Sequence, residues 1–281
     1  MNYICFETIG IGDRLGSQMF NFAAMYTVAQ KTNHQLAIEK NKLNFGKFEG
    51  QQIMLDAFEY PFTVLDNTHN FKIVEIKEFA NYYPNVEQVS LYELNPNINY
   101  KIVGRLDFCQ NIYIDNIKEI QNNFFIFKNK HTLIAQNFIN GLKAQNNKEI
   151  VSLHFRRTDY LACSPLNLTL NYYKEALFYF NPEKHILLLF SDDVEFCETE
   201  VKAFLKNQNP KWEIYLSKNN SSDTDMCLMS LCDHNIIANS SYSFMAAILN
   251  KNPKKQIISP ANWFKTETHA AFKKWILISA T

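Results

Sequence analysis

The sequence has no Cys-x-x-Cys pair, no His-x-x-x-His pair, no run of 18 apolar residues and no excess of either charge. Each absence removes a class of protein. The six cysteines, Cys5, Cys109, Cys163, Cys197, Cys227 and Cys232, are too scattered for a structural zinc site. Several lie in apolar runs, as reduced core cysteines do, which fits a cytoplasmic chain. The histidines, among them His69, His131, His185, His234 and His269, read as surface or satisfied core residues. With no apolar stretch of spanning length, nothing is expected to cross a membrane, and peripheral attachment at the inner membrane stays open. The start, Met-Asn-Tyr-Ile-Cys-Phe-Glu, lacks the basic end and apolar core of a signal peptide. A formal net charge of 0 gives no basic field for nucleic acid. Any anion must therefore be met locally.

Apolar residues make up 47% of the 281, enough to fill one large core or two modest ones. Tyr3 to Thr8 reads as a strand. The loop Gly10-Ile-Gly12-Asp13-Arg14-Leu-Gly16 follows, then a helix from Ser17 to Thr32 and a strand from Gln35 to Glu39. Strand, glycine loop, helix and strand are typical of nucleotide-binding architectures. A dinucleotide-binding domain places its ribose-binding acid near Glu39. An NAD(P)-dependent oxidoreductase using the Gly10–Gly16 loop is thus one rival reading.

Residues 40 to 100 are poorly patterned. Gln51 to Phe62 suits a short helix, Phe71 to Glu78 a strand, and the Pro-marked stretch Asn81 to Pro96 mostly loop. Lys101 to Val103 reads as a strand, Asn116 to Phe125 and Lys130 to Ala144 as amphipathic helices. Polar Gln145 to Glu149 marks the expected boundary between domains 1–146 and 147–281. The second half is more regular. Strands are expected at Ile150–Leu153, His185–Phe190, Glu213–Leu216, Asn235–Ala238 and Gln256–Ser259. Helices are expected at Asn171–Phe180, Val194–Asn207, Met226–Cys232 and Phe244–Asn250, with a last helix after Pro260 that packs back on the core or meets a partner. Alternating strands and helices predict parallel sheets covered on both faces.

Three clusters carry chemistry. His154-Phe-Arg156-Arg157-Thr-Asp159-Tyr160 ends a buried strand. Two guanidiniums there need counter-charge: Asp159 for one, and for the other a bound anion or an internal bridge. Asn239-Ser240-Ser241-Tyr242-Ser243 lies between a strand and a helix. It reads as a phosphate cradle at a positive helix end, or as a simple N-cap. Asp192-Asp193 ends another strand and suits either a guanine edge or a helix cap. Asp223 and Asp225 read as caps rather than metal ligands.

Together these residues resemble the α-1,2-fucosyltransferases, a family of inverting sugar transferases. Five segments, in family order, carry the likeness: G-D-R-L-G-S-Q-M-F-N-F-A from Gly12, G-R-L-D-F-C-Q-N-I-Y from Gly104, H-F-R-R-T-D-Y from His154, D-M-C-L-M-S-L-C-D-H-N-I-I-A-N-S-S-Y-S-F from Asp225 and P-A-N-W-F from Pro260. Two places depart from the pattern. Met245 and Ala246 stand where the family has an aromatic and a glycine, and Ser17 stands where it has asparagine.

The resemblance implies an α/β fold of GT-B type, two Rossmann-like domains facing a cleft, with GDP-fucose held mainly by the C-terminal half. It implies transfer of L-fucose to the 2-hydroxyl of a galactose-terminated oligosaccharide or glycolipid, with no cofactor and no metal. Arg156 would contact the diphosphate with His154 beside it, and Arg157 and Asp159 would frame the site or approach the acceptor. Asn239, Ser240, Ser241 and Ser243 would bind phosphate oxygens, and Asp192 or Asp193 guanine or ribose. Asp13, Arg14 and Gln18 would face the cleft. Asp159 and Asp13 are the candidate general bases. A non-catalytic nucleotide-binding protein, and the same fold with another donor sugar or acceptor hydroxyl, are the remaining alternatives.

Overall fold

The computed structural model describes residues 1–8, 14–40, 57–59, 62–66, 69–77, 85–104, 116–162, 167–261 and 274–279. The chain divides into two compact units, Met1–Lys128 and Asn129–Thr281. Each is built on one six-stranded, all-parallel sheet.

The first unit holds β1 (Tyr3–Phe6), β2 (Gln35–Glu39), β3 (Thr63–Leu65), β4 (Lys72–Ile76), β5 (Glu87–Val89) and β6 (Tyr100–Val103), in the spatial order β3-β2-β1-β6-β4-β5. Helix α1 (Leu15–Lys31) crosses from β1 to β2 and is buried almost all round, from Leu15 and Met19 to Val28 and Ala29. A helix buried on nearly every side is a core element rather than a surface one, and it takes polar Gln18, Asn21 and Thr27 into the interior with it. The stretch Asn81 to Pro96, expected as loop, contains β5 and a capped single turn, Leu91–Glu93. The helix expected over Asn116–Phe125 is a short turn, Ile117–Glu119, that widens into a π-helix, Ile120–Phe124. Of the helix expected at Gln51–Phe62, most lies outside the described residues. Phe58 within it makes an antiparallel bridge to Phe127 instead.

The second unit begins with α2 (Asn129–Asn146). It continues through β7 (Glu149–Phe155), α3 (Leu170–Leu177), β8 (His185–Ser191), α4 (Lys202–Gln208), β9 (Ile214–Leu216), α5 (Ser222–Leu231), β10 (His234–Ile236), α6 (Ser241–Leu249), β11 (Ile257–Pro260) and β12 (Ile276–Ile278). The boundary therefore falls before α2, not at the expected 146/147. The reason is packing: His131 of α2 is buried against α5, its Nδ1 2.8 Å from Thr224 Oγ1 and its Nε2 3.7 Å from Asp223. The end of the chain also differs from expectation. Ile276, Leu277 and Ile278 form an edge strand in register with Ile258, Ser259 and Pro260, not part of a helix. The β-branched Ile276 and Ile278, with Leu277 exposed between them, suit a pleated edge.

The order of the second sheet, β12-β11-β10-β7-β8-β9, places β10 and β7 at its centre. From β7 the chain runs outward through β8 and β9, then returns to β10 on the other side of β7. Renumbered within the unit this is the 3-2-1-4-5-6 order of dinucleotide-binding sheets, whose ligands sit at the C-terminal strand ends where the order reverses. That switch lies between β7 and β10. The central strands are covered on both faces: Ile150, Val151 and Leu153 of β7, the continuous apolar run Ile186 to Phe190 of β8, and all of β10 are buried.

Candidate active site

The C-terminal end of β7 delivers Arg156, Arg157, Thr158 and Asp159, and the end of β8, hydrogen-bonded beside it, delivers Asp192 and Asp193. Arg156 donates through Nη1 to Asp192 and through Nη2 to Asp159. Asp192 also accepts from the Arg157 backbone N–H at 2.9 Å and from the Thr158 hydroxyl at 2.6 Å. Arg157 donates through Nε to Asp193 at 3.2 Å, and its guanidinium lies 3.5 Å over the Phe196 ring. Asp193 caps the next helical turn by accepting from the Phe196 N–H at 3.1 Å. The cap is one of the two roles weighed for Asp193. Arginine–aspartate bridges exist at this strand end, and three carboxylates answer two guanidiniums. Asp159 is the most exposed of the three, at 49% against 23% for Asp192 and 30% for Asp193.

His154 lies one residue inside this tip and is buried. Its ring packs against Tyr242 at a centroid distance of 5.4 Å, and its Nδ1 has no hydrogen-bond partner among the described residues. Burial pushes its imidazole down to about 4; Asp192 opposes the shift and Arg156 adds to it. His154 is thus a neutral ring at neutral pH. An unsatisfied buried polar atom costs about 1–3 kcal/mol and is the kind of exception found at functional sites.

The opposite wall is the segment between β10 and α6. Ser240 is the N-cap of α6 and accepts from the Tyr242 N–H at 3.3 Å. Asn239, Ser240 and Ser243 are buried and Ser241 is half-buried. Ser243 turns inward: its hydroxyl accepts from the Ala238 N–H at 3.2 Å, so it braces the loop. The Tyr242 hydroxyl donates to the Ser222 carbonyl, which brings the N-termini of α5 and α6 together. Ser221 caps α5, and Asp225 in its first turn accepts from Ser217 at 2.6 Å. Burial raises the Asp225 carboxyl above the usual range, with the Ser217 and Asn220 hydrogen bonds opposing. The arginine fork at the strand tip is answered by carboxylates, and the N–H groups that open α6 are the part of the site that suits a negatively charged ligand.

The remaining candidates lie in the first unit. Arg14 is exposed at the N-cap of α1, and its carbonyl accepts from the Gln18 N–H at 3.0 Å. Gln18 itself is buried within α1. Asp13, the glycine loop before it, residues 105–113 and residues 262–264 lie outside the described residues. Glu39 does not have the free carboxylate that an NAD-type ribose contact requires. It is buried and paired with Lys101 at 2.8 Å. In the first sheet β6, not β4, lies next to β1, so this sheet also lacks the dinucleotide-binding order. Sequence reasoning missed Thr158, Tyr172, Tyr173 and Tyr242. Thr158 and Tyr242 stand inside motifs already singled out, whereas Tyr172 and Tyr173 read as plain core.

Among the described residues one group has metal-ligand composition: Glu149, His185 and His234, at the other end of the second sheet. His234 Nδ1 accepts from the Gln256 N–H at 3.0 Å, so its proton sits on Nε2, facing Glu149 at 3.3 Å. That tautomer makes the group a hydrogen-bonded cluster, not a ligand set.

The two sheets define a GT-B-type glycosyltransferase fold. The solved structure of POFUT1 with GDP matches with a TM-score of 0.61 at 12% identity, covering 91% of this chain and 98% of that one. The GDP complex of an Arabidopsis thaliana FUT1 mutant matches at 0.56 and 12%, covering 93% and 72%. The chain belongs to glycosyl transferase family 11, whose model matches residues 4–279. Among curated relatives, the Escherichia coli O-antigen biosynthesis glycosyltransferase WbnK is 26% identical over 93% of this chain and 97% of its own length. An Escherichia coli alpha-1,2-colitosyltransferase is 26% identical over 94% and 96%. The Bos taurus galactoside 2-alpha-L-fucosyltransferase SEC1 is 23% identical over 86% of this chain and 64% of its own length. No helix among the described residues is long and apolar enough to cross a membrane.

Proposed function

We propose that this glycosyltransferase moves L-fucose from GDP-β-L-fucose to the 2-hydroxyl of a galactose-containing glycan, with inversion, forming an α-1,2 linkage. The observation that carries the reading is the placement of Arg156 and the Ser240-capped helix on the two sides of the switch point of the second sheet. The acceptor hydroxyl attacks C1 of the sugar while GDP leaves from the opposite face. Charge gathers on the diphosphate as that bond breaks. The Arg156 fork and the N–H groups opening α6 stabilise it, and the reaction is assigned no metal. The diphosphate takes the place of Asp159, the more exposed of Arg156's two partners, and Asp192 keeps the fork in position. Asn239, Ser240 and Ser241 line the phosphate side. Asp159, released from Arg156, and Asp13 are the candidate bases.

Colitose in place of fucose is a second reading, favoured by the colitosyltransferase relative. Incubation with labelled GDP-fucose and a galactose-terminated oligosaccharide, followed by linkage analysis, tests the proposal. An α-1,2-fucosyl product is expected. No transfer, or a linkage at another hydroxyl, contradicts it. Full turnover in both Asp159→Asn and Asp13→Asn removes both candidate bases.

A further inference from the structure

The ladder between β7 and β10 pairs Val151 with His234 and Leu153 with Ile236, then stops. β7 stays with β8 as far as Phe155 and Ser191, and β10 stays with β11 through the Ile237 N–H on the Ile258 carbonyl, 2.9 Å. In a regular parallel ladder the next rung would join the Ala238 N–H to the His154 carbonyl. Neither group makes that bond. The His154 carbonyl accepts from the Tyr173 hydroxyl at 2.8 Å, and the Ala238 N–H donates to Ser243 Oγ at 3.2 Å. The β11 side of the split is completed likewise. The partner the ladder offers the Ile237 carbonyl is position 260, a proline without an N–H, and the Tyr172 hydroxyl supplies the bond at 2.7 Å.

We infer that Tyr172, Tyr173 and Ser243 are positioning residues that part β7 from β10 and fix the width of the crevice that receives the donor diphosphate. The inference rests on the donor reading above. Tyr172 and Tyr173 are neighbours on α3, both fully buried, with their rings edge to face at 4.9 Å. Tyr173 also stacks on Phe155 at 4.1 Å. One short rigid helix therefore holds the arginine wall through His154 and the serine wall through Ile237. Ser243 replaces a backbone acceptor, which explains a buried serine that points away from the crevice.

The test is a double-mutant cycle read out by thermal unfolding and by calorimetric titration with GDP. Tyr173→Phe and Ser243→Ala each strand one half of the missing rung. Each is expected to lower the melting temperature and to weaken GDP binding about fivefold or more. In the double variant both halves are unpaired and facing, so the rung can re-form. Its melting temperature is expected to fall by less than the sum of the single losses, while GDP binding falls further than in either single variant. Tyr215→Phe, which removes a hydrogen bond from Asn146 away from the switch, is the control that loses stability and keeps GDP affinity. Additive stability losses, or GDP affinity that follows stability alone as in the control, overturn the inference. A wild-type protein that does not bind GDP contradicts the donor reading instead, and the stability coupling still decides whether the rung is missing.

Discussion

The same three strands carry polar clusters at both ends, and the ends are not alike. At the N-terminal end, Glu149 of β7 meets His185 of β8 and His234 of β10 at 3.4 and 3.3 Å. The cluster closes on itself: Asp233 accepts from the Ile150 N–H at 2.8 Å and from Lys143 at 2.9 Å, and Gln256 donates to His234. At the C-terminal end the strands part, and side chains from α3 and α6 take the bonds that the sheet gives up. Parallel strands direct helix N-termini to that end, so its N–H groups and positive potential are available to a ligand. One end of the sheet is sealed chemistry and the other is a crevice.

Removing the largest charge from the crevice should separate the ends most clearly. Arg156→Ala is expected to lower turnover by two orders of magnitude or more, about 2.7–4 kcal/mol of barrier. Glu149→Gln is expected to leave turnover within about twofold, since its carboxylate is half exposed and far along the same strand. Comparable kinetic losses in both would erase the distinction. The next effect is on stability against pH. The folded-state value for His154, about 4, lies below its ordinary 6.5. The unfolded chain therefore binds more protons between those values. The contribution is complete above pH 6.5 and is lost as pH falls through 4, by about 3 kcal/mol. Chemical unfolding between pH 7 and pH 4 should show this slope, and His154→Asn should flatten it. An unchanged slope in that variant would assign the acid sensitivity elsewhere. A smaller loss is expected from Ser240→Ala, about 1 kcal/mol for the cap of α6, together with weaker GDP binding. The smallest is Glu149→Gln in unfolding, below about 1 kcal/mol.

The crevice was more legible in the sequence than the sealed end. Arg156, Arg157 and Asp159 announce themselves because two guanidiniums at the end of an apolar strand demand counter-charge, and Asn239 to Ser243 carry more hydroxyls than one cap needs. What the letters could not show is which groups are already answered. Asp192 and Asp193 hold Arg156, Arg157 and the Phe196 N–H, and Ser243 braces its own loop. The strand β8 stands out as a long apolar run, and β7 by Ile150, Val151 and Leu153. The strands β3 and β5 have three residues each, partly exposed, and offer no period to read. Polar Gln145 to Glu149 resembles a linker, yet α2 before it belongs to the second unit through His131. The run Trp275 to Ile278 is too short to distinguish helix from strand. Tyr172 and Tyr173 look like core because their rings are core, and only their hydroxyl partners give them a role.

The most direct test of the crevice is calorimetric titration of GDP into the wild-type protein and into Arg156→Ala, with Glu149→Gln alongside. Micromolar binding, about −8 kcal/mol, is expected in the wild type and in Glu149→Gln, and a loss of tenfold or more in Arg156→Ala. Equal GDP affinity in a folded Arg156→Ala would move the nucleotide away from the β7 tip and contradict the account.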